Sequence, residues 1–394
     1  MIHRDVTEKL IHVAQKFPVI TVTGPRQSGK TTLCRSIFAD HAYVNLENLN
    51  HQNFALDDPL GFLSQFTEGA VIDEVQRAPK LLSFLQEIVD ESQDPGRWIL
   101  TGSHNLQLSS SISQSLAGRT AVIDLLPLTW REITQFSKHP QTLVEALFYG
   151  GYPRIFDKEI HPSDWLSNYV RTYIERDIRS MTNVGDLQRF QHFVQLCAGR
   201  TSQLLNLSSL GNDCGVSQPT IKSWVSILEA SFIGFRLLSF HGNLRKRLVR
   251  MPKIHFYDSG LVCWLLGIQT PDQLRTHPLR GAIFETWVVS ELLKNYTNRG
   301  ETSRLLSYYR DHNGAEVDLI INDPPNHLTL LDAKSSQTIS TSLLTGVNRV
   351  QKHFKESSYT CSSVIIHGGE LHQNRKQVRL IPWRDIHSVF SDQK

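Results

Sequence analysis

The stretch Gly24-Pro-Arg-Gln-Ser-Gly-Lys-Thr-Thr32 follows directly on the apolar run Pro18-Val-Ile-Thr-Val-Thr23. Few short segments constrain a fold so tightly. The spacing of Gly24, Gly29, Lys30 and Thr31 is G-x-x-x-x-G-K-[ST], and it needs a strand before it and a helix after it. Glycines let backbone N–H groups close around a phosphate, while the following helix directs its positive dipole end at the anion. TTLCRSIFAD reads as that helix. Lys30 can then reach β- and γ-phosphate oxygens, and the Thr31 hydroxyl can ligate Mg²⁺. The expected nucleotide-binding set is Gly24, Pro25, Arg26, Gln27, Ser28, Gly29, Lys30, Thr31 and Thr32, although the pattern assigns no role to Arg26.

A second apolar strand, Gly69-Ala-Val-Ile-Asp-Glu74, ends in two acids, the Walker B form. Asp73 is expected to order the Mg²⁺ shell and Glu74 to polarise the attacking water. Two carboxylates at a strand end could instead cap the next helix, but the switch point of a parallel sheet is where such groups meet a bound phosphate. A third strand, Arg97–Ser103, delivers Ser103 and Asn105 as candidates to sense the γ-phosphate. A polar helix is expected over roughly 106–118, and a fourth strand begins at Thr120.

The ordered set GPRQSGKT, VIDEVQ, LTGS and SLAGR resembles the AAA-type ATPases, in particular a bacterial and archaeal group whose C-terminal part is a family of unknown function. Gly150-Gly-Tyr-Pro-Arg154 and Tyr173-Ile-Glu-Arg-Asp177 resemble that group too, so the likeness spans most of the chain. It implies ATP and Mg²⁺ as cofactors and a homo-oligomer. In that superfamily an arginine just before the last core strand enters a neighbour's nucleotide site to stabilise charge on the transferred phosphoryl group. Arg119 holds the matching position; a surface arginine favoured by a helix C-terminal dipole is the plainer reading.

The chain of 394 residues is too long for one ordinary core. Residues 1–130 are assigned to the ATPase core, 131–195 to a helical lid, 196–270 to a winged helix and 271–394 to a further α/β domain. Arg154 is a candidate lid contact. Residues 207–228 read helix, short turn, helix, with Ser217 a suitable N-cap, Pro219 in the first turn and Ile221, Trp224, Val225 and Leu228 in one apolar stripe. That arrangement leaves Gln218, Thr220, Lys222 and Ser223 at the exposed start of the second helix, where a DNA-reading helix presents its side chains. The basic run Arg245, Lys246, Arg247 and Arg250, continued by Lys253, suits the phosphate contacts of a wing. Winged helices also serve as protein-interaction modules.

In the last third, a helix carrying Glu285, a strand carrying Asp318 and a strand carrying Asp332-x-Lys334 follow one another. The order resembles the restriction-endonuclease-like PD-(D/E)xK fold, although the turn before Asp318 lacks the proline of the nominal motif. Residues 332 and 334 share one face of a strand. The resemblance implies that Asp318 and Asp332 share Mg²⁺, that Glu285 completes its shell, and that Lys334 orients the attacking water. The fold also exists as an inert binding domain.

The remaining features narrow the class. No stretch approaches a membrane span, and MIHRDVTEKL lacks a signal peptide's apolar core, so a cytoplasmic protein is expected. Five scattered cysteines without CxxC spacing point to reduced thiols rather than a zinc site. A net charge of +3 does not by itself demand nucleic acid. The expected fold class is therefore multidomain α/β, and the expected function is ATP hydrolysis coupled to binding, and possible cleavage, of DNA or another nucleic acid. The rival function is a nucleotide-dependent regulatory switch whose C-terminal domains bind protein.

Overall fold

The structure, a computed structural model, describes residues 2–103, 115–174, 187–241, 250–301, 305–323, 325–338, 340–354 and 359–390. The chain divides into two compact units: Met1–Leu128 with Ala230–Phe232 and Thr297–Gly300, and Thr129–Glu229 with Ile233–Tyr296 and Glu301–Lys394.

The first unit is built on strands β1 (Val19–Thr23), β2 (Ala42–Asn45), β3 (Ala70–Asp73), β4 (Trp98–Thr101) and β5 (Thr120–Asp124), in the order β2-β3-β4-β1-β5. All the pairings are parallel. A parallel sheet needs both faces covered, and β1, β3 and β4 are accordingly mostly apolar, with every residue buried. Alternate residues supply two separate cores. Val19, Ala70, Ile72, Trp98 and Leu100 pack with Leu82 and Leu85 on one face, while Ile20, Val22, Val71 and Ile99 pack with Leu10, Leu33 and Cys34 on the other. Truncating Leu100 to Ala would cost about 2–5 kcal/mol. The four expected strands are present; β2, half exposed and mixed in character, carries no comparable sequence signal.

The second unit begins with short helices fixed by capping boxes, Thr129 with Glu132 and Thr142 with Glu145. Gly150-Gly-Tyr-Pro-Arg154 is the docking point for a distant helix. Asp258 caps Ser259–Leu265, and its carboxylate also accepts the Gly151 N–H at 2.6 Å. Gly150 has φ +67° and a Cβ there would run into that carboxylate, so the position requires glycine. Arg154 itself is exposed. Helices Leu207–Cys214 and Gln218–Ala230 lead into the antiparallel pair β6 (Gly234–Leu237) and β7 (Lys253–Phe256). Ile221, Trp224, Val225 and Leu228 are buried as their spacing predicts.

After the long helix Arg280–Arg299 comes a six-stranded mixed sheet: β8 (Leu306–Arg310), β9 (Glu316–Asp323), β10 (His327–Lys334), β11 (Thr360–His367), β12 (Gln373–Arg375) and β13 (Val378–Pro382). Its order is β12-β13-β11-β10-β9-β8, with β10, β11 and β13 parallel. β8, β9 and β10 form an antiparallel meander. Helix Thr345–Phe354 buries Val347, Val350 and Phe354 against Val317, Leu328, Leu330 and Ile365. The β10–β9 register places Leu331 opposite Leu319, which leaves Asp318, Asp332 and Lys334 beside one another at one end of the pair.

Candidate active site

Residues 24–29 join β1 to the helix Lys30–Ile37 in a loop that only glycine can close. Gly24 has φ +142°, and a Cβ there would strike the Leu125 carbonyl oxygen; Gly29, at φ +95°, is the left-handed residue before the helix. Buried Arg4 clamps the loop from outside, donating to the Ser28 carbonyl at 2.7 Å and the Leu126 carbonyl at 2.9 Å. Inside it, the Lys30 ammonium donates to the carbonyls of Gly24 at 3.0 Å and Pro25 at 2.8 Å. Burial lowers the Lys30 pKa to about 8, against the attraction of Glu74 and Asp73. The buried Ser28 hydroxyl has no hydrogen-bond partner among the described residues. A desolvated cation in a concave, glycine-framed loop is a site shaped for an anion.

The acids of β3 meet this loop. Asp73 accepts the Thr31 hydroxyl at 2.8 Å and the Tyr43 hydroxyl at 2.8 Å on Oδ2, and the Thr101 hydroxyl on Oδ1. Thr31 and Asp73 are thus adjacent oxygen donors beside the phosphate loop, a donor set that fits Mg²⁺. Glu74 leaves the strand in a left-handed conformation, φ 58° and ψ 44°. Burial raises its pKa, opposed by Lys30 and Arg26. Gln76 donates to Glu74 Oε2 and to Ser103 Oγ, the latter at 3.0 Å, so Glu74, Gln76 and Ser103 form one polar chain. Tyr43, Thr101, Gln76 and Arg4 carry no local sequence signal for these roles. Thr32 is exposed, two residues into the helix, and Asn105 lies outside the described residues.

Arg119 precedes β5, whereas the phosphate loop follows β1. These strands run parallel with Val19 opposite Thr120, so Arg119 and the loop lie at opposite ends of the sheet. Five residues of strand separate them by about 17 Å, beyond the reach of one side chain. Arg119 instead forks Asp90, at 2.5 and 2.8 Å.

In the second unit, Glu285, Asp318, Asp332 and Lys334 converge as expected, but the open ligand shell predicted for the three acids is not what forms. The Lys253 ammonium lies among them, 2.9 Å from Glu285 Oε1, 2.7 Å from Glu316 Oε1 and 3.8 Å from Asp318 Oδ1. Lys334 lies 3.6 Å from both Asp318 and Asp332. Asp318 also accepts the Ala333 N–H at 2.9 Å, and Asp332 accepts the Asp318 N–H at 3.3 Å. Burial, reinforced by Asp318, pushes Glu285 up to about 8 and Asp332 up to about 7. Among the described residues, no group of three or more His, Cys, Asp or Glu is placed to hold a metal ion. The sequence suggests Lys253 as a phosphate contact of the wing; it is instead 3% exposed and belongs to this cluster. Glu316, the remaining member, carries no sequence signal of its own.

Of the expected nucleic-acid contacts, Gln218 and Lys222 are exposed at the start of helix Gln218–Ala230, while Thr220 is partly covered and bonded to Ser217 at 2.8 Å. Arg250 is exposed and donates to the Arg310 carbonyl at 3.3 Å. Arg245, Lys246 and Arg247 lie outside the described residues.

Comparison with known proteins fits this division. Residues 16–134 match the AAA domain family. Residues 140–272 and 280–386 match two domains of unknown function, DUF8612 and DUF4143. The uncharacterised protein Rv2008c of Mycobacterium tuberculosis is 30% identical over 322 residues, which cover 81% of this chain and 70% of its own. The chain belongs to the family of this mycobacterial protein. The uncharacterised protein MJ1544 of Methanocaldococcus jannaschii is 22% identical, over 82% of this chain and 75% of its own. Among solved structures, the Walker-type ATPase Paby2304 of Pyrococcus abyssi is similar over 67% of this chain and 96% of its own, at 13% identity and a TM-score of 0.46. In this family member, then, an AAA-type P-loop ATPase domain, of a class that uses ATP with Mg²⁺, precedes helical and mixed-sheet regions. No helix among the described residues is long and apolar enough to cross a membrane.

Proposed function

We propose that the protein hydrolyses ATP at the 24–32 loop and uses the cycle to act on nucleic acid through its second unit. The observation that carries the first half is the alignment of Lys30, Thr31, Asp73 and Glu74 around one loop. Lys30 exchanges its two carbonyl partners for phosphate oxygens. Thr31 and Asp73 would hold Mg²⁺, which offsets phosphate charge when bound. Glu74, raised in pKa by burial, orients and accepts a proton from the attacking water. Gln76 ties that carboxylate to Ser103, just beyond the end of β4, where a change at the γ-phosphate is felt by both. Arg119 completes the site of a neighbouring copy, because its own loop is out of reach; the protein acts as a homo-oligomer.

The second half rests on the helix pair, the β6–β7 hairpin and the basic run between them. Exposed Gln218 and Lys222 offer a reading face, and Arg245, Lys246, Arg247 and Arg250 supply the cations for a phosphate backbone. Replacing Arg245, Lys246 and Arg247 by Ala together should weaken DNA binding and flatten its salt dependence, by roughly 0.9 in log–log slope for each phosphate no longer neutralised. Affinity unchanged across a salt titration removes nucleic acid from the role of this segment. Cleavage is not part of the proposal, since Lys253 fills the acid cluster. That filled cluster favours a second reading, in which the last domain binds a protein and the ATPase is a regulatory switch.

A further inference from the structure

A divalent metal at the acid cluster of the second unit would need several oxygens drawn to within about 2.0–2.6 Å of a common point. In this structure the point on which Glu285, Glu316 and Asp318 converge is taken by the ammonium group of Lys253. The donor set therefore does not fit a metal while that lysine is in place. We infer that Lys253 is the resident cation of this cluster and closes it to divalent metal.

Three features fix the lysine there. Its strand is paired with β6, Lys253 standing opposite Leu237. On the other side, the Leu205 N–H donates to the Pro252 carbonyl at 2.7 Å and the Ser202 N–H to the Ile254 carbonyl at 2.7 Å, so backbone bonds hold the residues on both flanks. The ammonium also lies 5.6 Å from the Tyr308 ring centre, and the Tyr308 hydroxyl donates to the Met251 carbonyl at 2.5 Å. The cation is thus delivered by a braced strand rather than by a mobile surface side chain. Lys334 closes the far side, between Asp318 and Asp332, and Gly346 approaches Asp332 so closely that a Cβ would lie 3.1 Å from its Oδ2.

The consequence is a division of labour within the cluster. Lys253 ties the hairpin to the mixed sheet by charge, at a place where two carboxylate-bearing strands and a carboxylate-bearing helix would otherwise repel one another. As folded, the domain holds no catalytic metal and leaves nucleic acid uncut. A metal gains access only if β7 withdraws its lysine. This inference does not depend on the nucleic-acid proposal, which is read by a different assay.

The test is Mn²⁺ binding to the full-length protein without nucleotide, followed by electron paramagnetic resonance. Wild type, Asp318→Asn and Glu285→Gln should bind the same number of Mn²⁺ ions, because no site depends on these acids. Lys253→Met should gain one ion per chain, and adding Asp318→Asn should remove it. A wild-type Mn²⁺ ion that disappears in Asp318→Asn or Glu285→Gln overturns the inference. So does a folded Lys253→Met protein that gains none. Should Lys253→Met fail to fold, the wild-type comparison with either acid variant decides the matter alone.

Discussion

The buried Lys30 makes a quantitative prediction about how ATP binding depends on pH. Its pKa is about 8, lowered by burial, and its ammonium rests on two backbone carbonyls. Against a triphosphate the ammonium is favoured and its pKa rises. The sign follows: binding uses the charged lysine, so affinity is full below about pH 8 and is lost as pH climbs through that value. About nine-tenths of the loop lysine is charged at pH 7 and about one-tenth at pH 9, which weakens ATP binding roughly tenfold, or about 1.4 kcal/mol. Near pH 9, binding should also take up about 0.9 proton per ATP. Calorimetry in buffers of different ionisation enthalpy measures both quantities. A dissociation constant that stays flat from pH 7 to 9, with no proton uptake, refutes the claim that this cation is desolvated before the nucleotide arrives. Lys30→Ala should bind weakly at every pH and take up none.

Glu74→Gln should keep ATP binding and lose hydrolysis, since an amide cannot accept water's proton; a normal turnover rate would show that another group is the base. Arg119→Ala mixed with Lys30→Ala should recover part of the hydrolysis that neither shows alone, provided mixed oligomers form; no recovery at any ratio argues against action in a neighbouring copy. Lys253→Met leaves Glu285, Glu316 and Asp318 without their shared cation and should cost about 3–5 kcal/mol at pH 8. Burial holds Glu285 above the ordinary carboxylate range, so this loss should grow as pH rises and shrink toward pH 5, where Glu285 carries its proton. Chemical denaturation at both pH values checks it, and a loss independent of pH would contradict the ion-pair account.

What the sequence discloses and what it hides have a common physical basis. The phosphate loop is legible because its chemistry is contiguous: strand, glycines, lysine and helix follow one another directly, and each acts on its neighbours. The acids of β9 and β10 are legible for the same reason, since strand periodicity alone puts Asp332 and Lys334 on one face. Lys253 is easily mistaken for a wing cation because it follows a basic run, and nothing local says that β7 turns it inward against Glu285 on a later helix. Tyr43 and Thr101 reach Asp73 only through the parallel pairings of β2 and β4 with β3, which are long-range facts. The turn Gly150-Gly151 is recognisable, but its reason, the Asp258 carboxylate 107 residues away, is not. Glu291 is buried between Lys294 and the Trp130 N–H, and no periodicity marks it.

The central claim is that ATP turnover at the P-loop is coupled to nucleic acid. Steady-state ATP hydrolysis by the full-length protein with Mg²⁺, measured with and without single-stranded, duplex and branched DNA and RNA, tests it most directly. The account predicts hydrolysis that vanishes in Glu74→Gln, rises severalfold with at least one of these nucleic acids, and loses that rise as salt is added. Glu74-dependent hydrolysis that is indifferent to every nucleic acid at low salt would contradict the coupling and leave the regulatory switch as the better account.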